Sequence, residues 1–79
     1  EIVAYGPGVS LLFPGNENGE RISSLLANDV RFVGCMNTVE SIERATGKRP
    51  ELIAEAIPVQ TGVARLVERA QEGFVVIRP

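Results

Sequence analysis

One thiol dominates the chemistry open to this chain. Cys35 is the single cysteine among 79 residues, and histidine is absent. Without histidine, a Ser-His-Asp triad and most zinc sites fall away. Without a CxxC pair, a thioredoxin-type dithiol is excluded. The run Gly6-Pro7-Gly8 starts like a dinucleotide-binding fingerprint, but Leu11 stands where the next glycine is needed. Gly47-Lys48 has no phosphate-loop spacing around it. The carboxylate pairs Glu17/Glu20, Glu40/Glu43 and Glu68/Glu72 fall on exposed faces of expected helices and read as solvated charge. No metal or cofactor is implied.

Cys35 stands out by its place in the pattern. It closes the β-branched run Val30–Cys35 and lies two residues before Asn37, which with Glu40 has capping-box spacing. In open parallel sheets ligands gather beyond the carboxyl ends of the strands, and a helix N-terminus favours the thiolate. A small apolar cysteine sealed in the core fits the same position. Gly6 and Gly8 belong to the same carboxyl edge, either as a backbone-lined wall facing Cys35 or as a tight turn. Thr61-Gly62 opens another helix there, either directing N–H groups into the same crevice or simply capping. Arg44, Lys48 and Arg49 cluster at a helix end, where they complement its dipole or meet an acidic partner.

The elements that must position these residues alternate. Glu1–Gly6 and Val30–Cys35 are expected as buried strands, Ile57–Val59 as a weak strand confined by Pro58 to an edge, and Phe74–Ile77 as a last buried strand. Val9–Gly19 reads as loop, broken by Pro14, Gly15 and Gly19. A helix from about Asn18 places Ile22, Leu25 and Leu26 on one face. A second helix buries Val39 and Ile42 and stops at Gly47, and Pro50 suits the start of a short helical piece, "PELIAEA". In "TGVARLVERAQEG", Val63, Leu66, Val67 and Ala70 follow helical spacing, with Thr61 as cap and Gly73 as stop. The order β-α-β-α-β-α-β predicts an α/β domain with a mostly parallel sheet covered by helices, one domain over residues 1–79.

Composition narrows the function classes. Hydrophobic residues make up 44% and charged residues 23%, and the net charge is −2. An isoelectric point near 5.0 argues against nucleic-acid binding. No apolar run approaches the roughly 20 residues of a membrane span, and a lone cysteine fits the reducing cytoplasm. A chain this short buries only about 60–65% of its unfolded surface, so oligomerisation is the readiest added support.

Taken together, "AYGPGV", then "DVRFVGCMNT", then "IPVQTGVARLVERAQEGFVVIRP" resemble the DsrE/DsrF-like sulfur-relay family, above all its small stand-alone members. The resemblance runs over nearly the whole chain. It rests on the Gly-Pro-Gly loop, the Cys-x-Asn-Thr run at Cys35–Thr38, and the closing segment from Thr61-Gly62-Val63 to the Ile-x-Pro motif. It implies a three-layer α/β/α domain with a mainly parallel five-stranded sheet, assembled as a homotrimer or homohexamer. It also implies one more strand and helix before the "AYGPG" strand, without which a sheet edge would lie open. The family's characterised sulfur carriers hold sulfur as a persulfide on the matching cysteine and pass it between donor and acceptor proteins. Carried over, that role falls on Cys35. The backbone N–H groups of Asn37 and Thr38 are then expected to steady the negative sulfur. The competing reading is a non-catalytic oligomeric binding or scaffold protein with Cys35 buried at a subunit interface.

Overall fold

The computed structural model describes residues 1–77; Arg78 and Pro79, which end the Ile-x-Pro motif, lie outside the described residues. Three short apolar strands, β1 (Ile2–Ala4), β2 (Phe32–Cys35) and β3 (Ile57–Val59), pair in the order β1-β2-β3. Both pairings are parallel, with Ala4 beside Gly34 and Cys35 beside Val59. All four residues of the central β2 are buried, as its unbroken apolar run predicts. Pro58 sits at the sheet edge, where a missing donor costs little.

Helices α1 (Gly19–Ala27) and α2 (Met36–Thr46) cross between the strands, and α3 (Gly62–Gln71) follows β3. Strand alternation sends Ala4, Phe32 and Gly34 to one face. There Ala4 and Phe32 form a core with Leu12 and Ile22, flanked by Leu25, Leu26, Leu52 and Ile53. A Cβ on Gly34 would lie 2.7 Å from Leu52 Cδ1 and 3.3 Å from Leu12 Cδ1, so the glycine lets these two leucine tips close over the strand. The opposite face carries Val3, Tyr5, Val33 and Cys35, and α3 begins against it: Gly62 packs on Val3 and Tyr5. The α/β class and the parallel sheet follow the sequence pattern. Gly47 ends α2 in the left-handed conformation with φ 76°.

Several expectations change. Gly6–Leu12 is a 3-10 helix, not loop, and buries Val9 and Leu12. "PELIAEA" is not helical: the Ile53 N–H is taken by the Leu12 carbonyl at 2.8 Å, while Leu52 and Ile53 turn into the core. Tertiary burial outweighs the weak helical preference of so short a piece. Phe74–Ile77 is neither a strand nor buried; Val75 and Ile77 are 84% and 85% exposed. Among the described residues no strand pairs with it: a groove separates it from the open edge of β1, so it joins no ladder. The sheet accordingly has three strands among the described residues, not four or five.

The apolar stripe expected on α3 is also turned. Val63 and Val67 are exposed, while Arg65 and Leu66 are half-buried. Arg65 grips the Glu1 carboxylate with two bonds, at 2.8 and 3.1 Å, and Arg69 adds one at 3.2 Å. These bonds, with the close seat of Gly62 on β1, set the rotation of the helix. The arginine hydrogen bonds outweigh the effect of burial and hold the Glu1 carboxyl down at about 2. On the unpaired side of β1 a groove runs between Glu1–Tyr5 and Phe74–Ile77, floored by Leu11 and Leu66.

Candidate functional site: the Cys35 thiol

Parallel strands bring their carboxyl ends to one edge, and Cys35 sits there at the end of β2. It is 6% exposed. The residue is itself the N-cap of α2, two residues earlier than the Asn37 cap expected from sequence, so the helix starts one residue past the thiol. Asn37 lies inside the first turn. Its side-chain oxygen accepts from Gln60 Nε2, which also reaches Glu40 at 3.3 Å. The Asn37–Glu40 capping box is therefore replaced by a cross-link from α2 to the turn before α3.

A second helix start converges on the same sulfur. Thr61 caps α3, its hydroxyl accepting from the Ala64 N–H at 3.2 Å. That hydroxyl serves the helix, so the contribution of the pair to the site comes through Gly62, whose N–H has no partner within its own first turn. A Cβ at Gly62 would lie 3.2 Å from Tyr5 Cβ and from Val3 Cγ1, which is why the helix can start this close.

The neutral thiol makes no capping bond and donates to the Gln60 carbonyl at 3.8 Å. That carbonyl also accepts from the Asn37 N–H at 3.0 Å, so it stays satisfied when the sulfur loses its proton. Burial pushes the thiol up. The Thr38 hydroxyl, then the N–H groups of Gly62, Thr38 and Asn37, pull it down and prevail, leaving the thiol below its ordinary value. Two helix starts thus face the position where negative sulfur would form, an arrangement that favours a nucleophilic thiolate.

The remaining expected residues divide. Gly6, held at φ 56°, donates its N–H to Thr38 Oγ1 at 3.0 Å and reaches the thiol only through that hydroxyl. Gly8 bonds back to the Tyr5 carbonyl at 3.1 Å and lines the groove beside β1, away from Cys35. Its reading as a wall of the site is set aside in favour of the turn. Arg49 pairs with Glu43 at 3.3 Å, and Arg44 lies in the last turn of α2, where it complements the dipole. Gln60 was not marked by its residue type; only the short interval from Pro58 to the Thr61 cap could have pointed to a backbone carbonyl at this edge.

Among the described residues no group of three or more His, Cys, Asp or Glu is placed to hold a metal ion, and no helix is long and apolar enough to cross a membrane. No protein-family model matches the chain. No curated protein matches it. Among solved structures, a protein of unknown function from Methanobacterium thermoautotrophicum, MTH1491, is similar at 37% identity and a TM-score of 0.82. The match covers 98% of this chain and 67% of that one. At that identity and coverage, the chain belongs to the same family as the Methanobacterium thermoautotrophicum protein.

Proposed function

We propose that the protein is a small cytoplasmic sulfur carrier that holds a persulfide on Cys35. The observation that carries this reading is the seat of Cys35 at the carboxyl end of β2, as the cap of α2, with its Sγ 3.8 Å from the Gln60 carbonyl in the turn that leads into α3. The resemblance of the Cys35–Thr38 run to sulfur-relay proteins supports it. In the first step the Cys35 thiolate attacks the outer sulfur of a donor persulfide, R–S–SH. A new S–S bond forms at Cys35, the donor S–S bond breaks, and the donor leaves as R–S⁻. Cys35–S–SH then gives its outer sulfur to an acceptor thiolate by the same exchange, regenerating the Cys35 thiolate with no net oxidation. The outer sulfur of the persulfide stands about 2 Å beyond Sγ. Neither step needs a separate acid or base.

The thiol is expected to react with iodoacetamide at neutral pH faster than free cysteine, and Cys35→Ser to remove that reaction. A thiol that resists until the protein is denatured would favour the buried-scaffold reading. The carrier is proposed to work as a homotrimer or homohexamer, supported by the exposed Val63, Val67 and Phe74 on a domain of this size. Light scattering should give three or six chain masses; a monomer would overturn the assembly.

A further inference from the structure

Thr38 Oγ1 makes one hydrogen bond among the described residues, and in it the hydroxyl accepts, from the Gly6 N–H at 3.0 Å. A hydroxyl has a single proton to give and two lone pairs to receive with. Occupying a lone pair from one side fixes the oxygen and leaves the proton for a partner on another. Thr38 is the third residue of α2, whose N-cap is Cys35, so it stands in the same first turn as the thiol. The bond also spans 32 residues, tying the turn after β1 to the start of α2. Gly6 can present its N–H there because its φ of 56° lies where residues with a Cβ are strained.

We propose that Gly6 is a positioning residue for the Cys35 sulfur: its N–H holds the Thr38 oxygen so that the Thr38 hydroxyl proton is delivered to the thiolate. The proposal rests on the reading of Cys35 as a thiolate nucleophile and assigns the Gly-Pro-Gly turn a part in setting its charge. No acidic residue lies in the first turns of α2 or α3. Tyr5 is the titratable side chain that β1 places on this face, and Glu40, one turn along α2, is tied to Gln60 at 3.3 Å. Control of the sulfur's charge therefore falls to neutral donors of the first helical turns, and Thr38 is the one whose oxygen is fixed from across the chain.

The test is the pH dependence of Cys35 alkylation by iodoacetamide in the full chain, with circular dichroism to confirm folding. Thr38→Val should lower the rate at neutral pH about three- to tenfold and move the rate midpoint upward, since a hydrogen bond to a charged group is lost. Thr38→Ser should keep the wild-type midpoint. Replacing the Gly6 amide by an ester in a synthetic chain removes the N–H and leaves the backbone free to adopt its φ. It should move the midpoint in the same direction in wild type and have no effect on top of Thr38→Val. An ester effect of equal size in both backgrounds, or none in wild type, overturns the proposal. This readout is independent of sulfur loading. A midpoint that shifts as expected in a protein that accepts no sulfur leaves the positioning role standing and removes the carrier, and the converse removes only the positioning role.

Discussion

Phe32→Ala is expected to remove a large part of the chain's stability and to bring its urea midpoint down sharply. Phe32 is 1% exposed at the start of the central strand and packs with Ala4, Leu12 and Ile22. Truncating a buried phenylalanine costs about 3–5 kcal/mol, from lost transfer energy and the cavity left behind. A chain of this length has only about 4–12 kcal/mol of stability in total. The loss is thus a large fraction of what holds the fold together. Urea unfolding followed by circular dichroism should show the midpoint collapse. Val75→Ala, at a position 84% exposed, should change stability by no more than about 0.5 kcal/mol. If both variants unfold at the wild-type midpoint, the core is not centred on β2.

The second large effect falls on Gly62→Ala, because that residue serves packing and site together. The added methyl would lie 3.2 Å from Tyr5 Cβ and from Val3 Cγ1. Tyr5 Cβ is anchored to the backbone that follows β1, so it cannot swing aside as a side-chain tip would. The start of α3 must back away instead. The overpacking should cost about 1–3 kcal/mol. The same displacement carries the Gly62 N–H off the Cys35 sulfur, so alkylation at neutral pH should slow. Gly8→Ala is the matched control: nothing lies within 4 Å of its added Cβ, and it faces the β1 groove. A Gly62→Ala protein that is destabilised yet alkylates at the wild-type rate would show that this N–H does not act on the thiol.

The carboxyl-edge site was legible because parallel strands leave little choice. Once β1 and β2 are read as buried strands, their ends and the helix starts beyond them must share one edge, and Cys35, Gly6 and Gly62 follow. Thr61 was legible as a cap because its hydroxyl has a local task. Asn37 was not, since the chain enters α2 directly from β2 and the thiol itself takes the cap position. The distances that matter, from Gly6 to Thr38 and from Gln60 to Cys35, link residues 32 and 25 apart, and local pattern cannot register them. Pro14 and Gly15 make the sequence around Leu12 look like loop, yet Leu12 is fully buried. A hydrophobic side chain on a short 3-10 segment has no periodicity to betray it. Phe74–Ile77 shows the reverse failure: its composition is that of a buried strand, but a strand exists only where a neighbour completes its ladder.

The central claim is that Cys35 accepts and releases sulfur, and intact-protein mass spectrometry tests it most directly. The native protein, incubated with a persulfide donor such as glutathione persulfide, should gain the mass of one sulfur atom. It should lose that mass to an added acceptor thiol, and Cys35→Ser should gain nothing. A native protein that stays unmodified, while its denatured form takes up sulfur at Cys35, would contradict the account and make the thiol a sealed part of the core.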